Sequence, residues 1–216
     1  MVAITKSRTI VLACALLVGI LGTCPETAYA ARKAFRHFHD AARPIPRPPY
    51  TDYASMARWL THMNDWGVIA TTSAQTGLPW TNSVDLSDGP VCNSTGRLFF
   101  YLTTMDETAS DALKNPLVSF TVTEASVGPG GCGQTDAEDP TCAKLTVLGS
   151  LAPVPPSEAS YAVDLLASRH PAIKSWPANH GFKPYELTIQ SLNLLDFYGG
   201  MKHVQVDDYF SADLTC

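Results

Sequence analysis

A ten-residue stretch marks the boundary between a predicted helix and a predicted sheet: Asn64-Asp65-Trp66-Gly67-Val68-Ile69-Ala70-Thr71-Thr72-Ser73. Before it, apolar side chains recur over residues 53–63 at the spacing of one helical face. After it, the β-branched run at residues 68–72 predicts a short buried strand. Gly67 stands where a helix commonly ends, because glycine adopts the left-handed cap conformation without a Cβ clash. Trp66 is expected to cover the seam between helix and sheet as core packing.

The rest of the chain predicts a mostly antiparallel sheet with helices at its edges. Thr51 or Asp52 is placed to cap the first helix, residues 106–114 predict a short helix, and Ser157 is expected to cap a second long helix that Pro171 ends. Further strands are predicted at residues 80–86, 98–103, 117–123, 144–151, 185–190 and 194–198. With about six or seven strands, closure into a barrel removes the exposed edges.

The N-terminal fifty residues resemble a targeting segment followed by a leader. A basic start, an apolar run at residues 9–21 and Ala28-Tyr29-Ala30 predict a signal peptide over residues 1–30. The alternative is a membrane anchor, but this run is shorter than the about 20 residues that span a bilayer. Residues 31–50 form a basic, proline-rich leader, expected to be extended and solvated. A docking arm or a trimmed propeptide is the alternative for this leader.

The charge of the chain argues against nucleic-acid binding. Loss of residues 1–30 would leave 13 of the 15 basic and 19 of the 20 acidic residues, which changes the formal net charge from −5 to −6. A mildly acidic chain of this kind lacks the basic surface that nucleic acids require. Without a later apolar run of sufficient length, we also expect no membrane insertion.

Four cysteines beyond the signal peptide fit an oxidising compartment. Cys132 and Cys142 lie ten residues apart in a loop rich in Gly, Asp and Pro, and we expect them to form one disulfide. Cys92 with Cys216 then follows by elimination. The alternative is that Cys216 stays free or pairs between chains. Asn93, in the sequon Asn-Ser-Thr, is the predicted N-glycosylation site.

Several motifs in order resemble the CREG family of secreted glycoproteins, from about Tyr53 to Phe210. They are Asp65-Trp66-Gly67 with Ala70-Thr71, Leu86-Ser87-Asp88-Gly89-Pro90, Phe100-Tyr101-Leu102, Asn115-Pro116, Cys132 with Cys142, Arg169-His170-Pro171 with Trp176-Pro177 and His180, and Asp196-Phe197-Tyr198-Gly199-Gly200. Residues 139–144 look closest to plant-type members. The resemblance makes residues 51–216 one CREG-like domain.

This resemblance implies a fold and a biological setting. The fold is the flavin-reductase-like, FMN-binding split β-barrel, mostly β with flanking helices. The family implies a glycosylated homodimer that is secreted, endolysosomal or vacuolar. It further implies a recognition or regulatory protein that acts in growth or differentiation. The mammalian-type branch implies binding to a glycoprotein-sorting receptor at the cell surface.

The same fold houses flavoenzymes similar to pyridoxamine phosphate oxidases, whose FMN phosphate is held by basic residues. The positions of their strand arginine and lysine correspond here to Asn82 and Ser87, and the basic pair after the next strand is replaced by residues 105–108, Met-Asp-Glu-Thr. A dianionic phosphate needs Arg, Lys or free backbone N–H groups. The groove positions Asn82, Ser87, Thr103, Thr104 and Asp106 are therefore predicted to be vestigial, although Ser87, Thr103 and Thr104 could still donate hydrogen bonds.

The sequence contains no strong catalytic or metal-binding motif. Asp85, Asp88 and His180 could meet in space, although Asp88 before Gly89-Pro90 is more simply a turn former, and His170 is expected to be a hydrogen-bonded core histidine. We therefore predict a non-catalytic glycoprotein without a bound cofactor. The alternative is a flavin- or haem-handling oxidoreductase that uses the groove between two subunits.

Overall fold

The computed structural model describes residues 45–128 and 130–216, which form four α-helices, three short 3-10 helices and seven strands. Asp52 begins the first helix, because its side chain accepts a hydrogen bond from Ser55 N at 3.1 Å. In chain order the elements are α1 (Tyr53–Met63), β1 (Trp66–Thr72), β2 (Pro79–Asp85), β3 (Leu98–Leu102), α2 (Glu107–Ala112), β4 (Leu117–Thr123), β5 (Lys144–Pro153), α3 (Ala159–Arg169), β6 (Lys183–Leu195), β7 (Lys202–Val204) and α4 (Val206–Ser211).

The strands form one antiparallel sheet in the order β2-β1-β4-β5-β6-β3, and β7 pairs with β6. The two ends of this order meet, because Ser87, just after β2, forms a bridge with Phe99 of β3. Ser87 N donates to Phe99 O at 3.1 Å, and Phe99 N donates to Ser87 O at 2.9 Å. The sheet therefore curls into a split barrel, which confirms the predicted fold class.

Helix α1 packs against the inner face of the curled sheet and is buried from Met56 to Met63. The sheet contributes alternate residues to this core, as the strand period requires. A second cluster lies on the other face of β3, where Phe99 packs with Leu166 and Ile173 from α3 and the turn after it. The adjacent residues Phe99 and Phe100 thus pack into two different hydrophobic cores.

The junction after α1 differs from the prediction at two residues. The helix ends at Met63, and Asn64 rather than Gly67 satisfies its last turn, with Asn64 Nδ2 donating to Leu60 O at 2.8 Å. Gly67 lies within β1, and its φ is not in the left-handed region. Trp66 is 45% exposed, so the expectation that it packs in the core is wrong.

Three other elements also differ from the prediction. Strand β1 is buried on one face only, with Val68 exposed and Ile69 buried, so it is not the fully buried strand that was predicted. Glu158, not Ser157, precedes the first turn of α3 and makes no side-chain cap. The two predicted strands after residue 185 are one strand, β6.

The described end of the leader is packed rather than solvated. Ile45 is buried, and its carbonyl accepts a hydrogen bond from Trp59 Nε1 at 3.1 Å. Arg47 Nε donates to Glu124 Oε1 at 2.7 Å. The predicted signal peptide and the leader up to residue 44 lie outside the described residues. Within residues 45–128 and 130–216, none of the helices is long and apolar enough to cross a bilayer.

Candidate functional site

A cleft of about 320 Å³, which we term the β2–β3 cleft, opens between strands β2 and β3, the start of α2 and the segment before β6. One wall is polar and comes from β2 and Asp106. The other is aromatic and comes from β3 and the segment before β6. The lining residues are Asn82, Ser83, Val84, Asp85, Tyr101, Leu102, Thr103, Asp106, Trp176 and Phe182.

Asp106 organises the polar wall by capping α2. Its Oδ1 accepts from Thr108 N at 2.8 Å, and its two carboxylate oxygens accept from Asn82 Nδ2 at 3.2 and 3.0 Å. Asn82 Nδ2 also lies 3.1 Å from Thr108 Oγ1. The start of this helix is therefore occupied by a carboxylate of the chain itself, which is the group that helix N-termini favour.

The structure brings together three of the five predicted groove positions. Asn82, Thr103 and Asp106 line the β2–β3 cleft, and Thr103 Oγ1 donates to His180 O at 2.5 Å. Thr104 is exposed and is not part of the lining. Ser87 is buried and points elsewhere, with its hydroxyl donating to Leu165 O at 2.8 Å.

The aromatic wall was missed by sequence reasoning. The rings of Tyr101 and Phe182 stack with centroids 5.5 Å apart, and Trp176 lies 4.7 Å from Phe182 and 5.9 Å from Tyr101. Two of these three residues lie in a segment without regular periodicity before β6. The available signal was the density of aromatic residues there, which predicts packing but not its partner.

Asp85, Asp88 and His180 do not converge. Asp88 is buried, and its Oδ1 accepts from His62 Nδ1 at 2.7 Å. Asp85 instead lies 3.7 Å from His170 Nδ1, and the ring of His180 lies 6.3 Å from that of Phe182. Asp88 is therefore engaged in a buried hydrogen bond with α1, apart from Asp85 and His180.

His170 is a hydrogen-bonded, half-buried histidine, as expected. Its Nε2 donates to Leu86 O at 2.8 Å, and its backbone N–H donates to Leu166 O at the end of α3. The preceding Arg169 is more deeply buried and joins α3 to two other segments, because its Nη1 donates to Gly89 O at 3.4 Å. Its Nη2 donates to His62 O and to Asp65 Oδ1, each at 2.9 Å. These contacts fix α3 below the junction that follows α1.

Both expected disulfides are present. Cys92 bonds to Cys216 and Cys132 to Cys142, with 5.4 Å between the Cα atoms of each pair. Asn93 is exposed beside the first disulfide. Its loop is held by Arg58, which donates to Ser94 Oγ at 2.8 Å and to Ser94 O at 2.9 Å.

A second cleft, the Arg47 cleft, has a volume of about 350 Å³ and is lined in part by Gly131, Cys132 and Thr141 of the disulfide loop. Arg47 binds both Glu124 and Asp196 there. Asp196 Oδ2 is buried, and none of the residues in 45–128 and 130–216 forms a hydrogen bond with it. Burial raises the pKa of Asp196, and the charge of Arg47 offsets only part of this effect. The disulfide loop therefore borders this cleft and contributes none of the residues that line the β2–β3 cleft.

Neither cleft resembles a metal centre. Among residues 45–128 and 130–216, no three His, Cys, Asp or Glu side chains are grouped so that they could hold a metal ion. The β2–β3 cleft presents carboxylates, an amide, hydroxyl groups and aromatic rings.

Comparison with other proteins identifies the family of this chain. A family model described as "CREG, beta-barrel" matches residues 48–211. The chain is 35% identical to Protein CREG2 of Mus musculus over 188 residues, which cover 86% of this chain and 65% of that protein. It is 34% identical to Protein CREG1 of Homo sapiens over 176 residues, which cover 80% of each. The alignment with human CREG2 covers 56% of that protein, so this chain spans less than two thirds of the CREG2 relatives.

Solved structures of other proteins share the fold of this chain. A heme binding protein from Mycobacterium smegmatis aligns with a TM-score of 0.62 and 20% identity, covering 78% of this chain and 63% of that one. A protein of the pyridoxinephosphate oxidase family from Clostridium acetobutylicum, related to general stress protein 26, aligns with a TM-score of 0.51 and 11% identity, covering 73% and 96%. The matched family model and the identity to CREG1 and CREG2, on a split barrel of this topology, show that the chain belongs to the CREG family.

Proposed function

We propose that this protein is a non-catalytic recognition or regulatory glycoprotein, secreted or endolysosomal, that acts as a homodimer in growth or differentiation. The observation that carries the proposal is the polar wall of the β2–β3 cleft. Asp106 and Asn82 bind each other where relatives with the same fold would place groups that bind FMN phosphate.

The residues present do not fit a flavin phosphate. None of the ten residues that line the β2–β3 cleft is Lys or Arg. A carboxylate a few ångströms from a phosphate costs on the order of 1 kcal/mol in water and more once water is excluded. The backbone N–H of Thr108, which could otherwise bind the phosphate, already donates to Asp106 at 2.8 Å.

Secretion and glycosylation are supported by the disulfides and by Asn93. Two disulfides are typical of proteins that mature in an oxidising compartment. Asn93 is exposed in its loop and so is open to modification. Digestion with a peptide N-glycosidase should lower the mass of the secreted wild-type protein and leave that of Asn93→Gln unchanged.

The homodimer is supported by the outer face of the sheet. Val68 is 39% exposed and lies opposite Ser83 and Thr121, and Leu148 is 41% exposed opposite Ser119. Paired residues share a face, so these side chains form one uncharged surface of apolar and hydroxyl groups. Such a surface, free of charge at its centre, is typical of dimer interfaces. A glycoprotein-sorting receptor is the partner that we propose from the family resemblance.

Titration with FMN and with haemin tests the proposal against its alternative, an oxidoreductase that handles flavin or haem. That alternative is favoured only by the fold shared with the heme binding protein and the oxidase-family protein. We expect purified protein to be colourless and its melting temperature to stay constant up to about 100 μM of either ligand. A yellow preparation, or micromolar binding of FMN or haemin, would overturn the proposal. A flavin-binding split-barrel protein measured in parallel provides the positive control.

A further inference from the structure

We infer that the β2–β3 cleft binds a small organic ammonium cation. This inference rests on the proposed function, because it requires that the cleft be free for a ligand other than flavin. Its basis is the pairing of a carboxylate wall with an aromatic wall across one cavity of about 320 Å³. Each wall favours a cation for a separate physical reason.

The charge of the cleft favours a cation over an anion. Asp85 and Asp106 line it, and none of the ten lining residues is basic. Among the described residues, the groups that donate to the Asp106 carboxylate are neutral, namely the amide of Asn82 and the backbone of Thr108. Asp85 Oδ2 lies 3.7 Å from His170 Nδ1, which forms an ion pair with it when protonated, and the Asp85 side chain is 44% exposed. The cleft therefore presents carboxylate oxygens to a cation that enters it.

The aromatic wall favours an organic cation over a hydrated metal ion. Tyr101, Trp176 and Phe182 form a continuous group of rings with centroids 4.7–5.9 Å apart. Ring faces attract alkylammonium groups within about 6 Å, and these three residues line the cleft together with Asp85 and Asp106. Divalent metals prefer several oxygen ligands instead. An ammonium group with methyl or methylene substituents satisfies both walls at once.

Choline and its neutral carbon isostere, 3,3-dimethylbutan-1-ol, separate charge recognition from apolar packing. Calorimetric titration of the full chain should show binding of choline, with the neutral isostere at least tenfold weaker. Glycine betaine should also bind weakly, because its carboxylate would approach Asp85 or Asp106. Phosphocholine distinguishes the source of the ligand. Binding as tight as that of choline indicates a lipid headgroup, whereas weaker binding indicates a free ammonium compound.

Variants assign the binding to the two walls. Asp85→Asn and Trp176→Leu should each weaken choline binding at least fivefold, with circular dichroism confirming that the variants are folded. Glu107→Gln removes an equal charge from an exposed residue next to Asp106 that does not line the cleft, and it should bind choline like the wild type.

Three outcomes would overturn the inference. They are equal affinity for choline and its neutral isostere, no heat of binding with millimolar choline in folded protein, and choline binding that both wall variants retain. These results are distinct from failure of the proposed function, which would be recognised by binding of FMN or haemin. Protein that binds neither flavin nor choline would leave the proposed function intact and remove this inference alone.

Discussion

Gly67 allows β1 to lie against β4 with a contact that no other residue permits. A Cβ atom at this position would lie 2.4 Å from Phe120 Cζ and 2.6 Å from Thr121 O. Since φ is not positive here, the requirement is steric and not conformational. The glycine of the Asp-Trp-Gly motif is therefore needed for packing within the sheet, and not for the end of a helix.

Gly67→Ala should lower the free energy of unfolding by about 1–3 kcal/mol, the usual cost of overpacking. Urea unfolding followed by circular dichroism measures this change as a lower midpoint. The double variant Gly67→Ala/Phe120→Leu provides the control, because the shorter side chain removes the ring contact and should recover part of the loss relative to Phe120→Leu alone. A midpoint of Gly67→Ala equal to that of the wild type would show that Phe120 moves away without cost.

Asp196 should make the fold less stable as the pH rises. Its pKa in the folded protein is raised above the ordinary value of 3.8, so the folded state binds its proton more tightly than the unfolded state. Stability from this group is complete below pH 3.8 and is lost as the pH rises through the raised pKa. Asp196→Asn removes this slope, so the unfolding free energy of the wild type should fall relative to that of the variant as the pH rises above 3.8.

Asp139 provides a comparison of opposite sign. Hydrogen bonds from the backbone and hydroxyl of Thr141 lower its pKa, so its contribution is present above the ordinary value of 3.8 and is lost as the pH falls. The free energy of unfolding of Asp139→Asn should therefore lie below that of the wild type above the ordinary pKa, and this difference should shrink as the pH falls. Thermal unfolding of both variants over the same pH series tests the two signs together. If the stabilities of the wild type and Asp196→Asn change with pH in parallel, the prediction that burial raises the pKa of Asp196 is wrong.

The elements of the fold are stabilised unequally by the two disulfides. Cys92 and Cys216 are 124 residues apart in the sequence, and Cys132 and Cys142 are 10 apart. Because a longer closed loop removes more entropy from the unfolded chain, the first bond should contribute about 5 kcal/mol and the second about 3 kcal/mol. The paired serine variants of each bond, compared by urea unfolding under identical conditions, should show this order. The reverse order would indicate residual structure in the unfolded chain around Cys216.

Elements encoded by local pattern could be predicted from the sequence. Strand β4 begins and ends at the residues expected, and α1 begins after one of the two expected caps, because alternation and capping act within a few residues. The roles of three arginines were missed, of which Arg58 and Arg169 are buried and Arg47 is exposed. Each joins segments that are distant in sequence, for example Arg58 to the carbonyl of Tyr209 at 2.9 Å. No periodicity distinguishes such a residue from an arginine that contacts only solvent.

The candidate site was predictable for its charge and not for its shape. Asn82 and Asp106 were assigned to the groove from the sequence, and the structure places these two in contact. Ser87 was assigned to the groove by counting along a strand, but the chain leaves the strand at Asp85 and the Ser87 hydroxyl turns to α3. The aromatic wall depends on a segment before β6 that packs on β3, which is a tertiary contact without a local signal.

The part of the molecule from residue 45 onward has two distinct surfaces. One is a helical side that carries the loop of Asn93 (the sequon loop), and the other is an outer sheet face without charge at its centre. Val68 and Val91 provide a matched comparison of these surfaces, since their exposed fractions are 39% and 40%. Val91 lies beside the Cys92–Cys216 disulfide, where its carbonyl accepts from His62 Nε2 at 2.8 Å. A substitution at Val68 should therefore affect a dimer formed by the sheet face, and one at Val91 should not.

Val68→Asp is expected to weaken dimerisation roughly a hundredfold or more, because an unpaired charge buried at an interface costs about 2–5 kcal/mol and a twofold dimer would bury two of them. Val91→Asp introduces the same charge on the helical side and should leave the dimer intact. Sedimentation equilibrium over a concentration series measures both constants, and circular dichroism confirms that each variant is folded. A folded Val68→Asp protein that remains dimeric would place the interface elsewhere, whereas a monomeric Val91→Asp protein would assign it to the sequon loop. Monomeric wild-type protein at tens of micromolar would remove the homodimer from the proposed function, because the uncharged sheet face would then have no second copy to cover it.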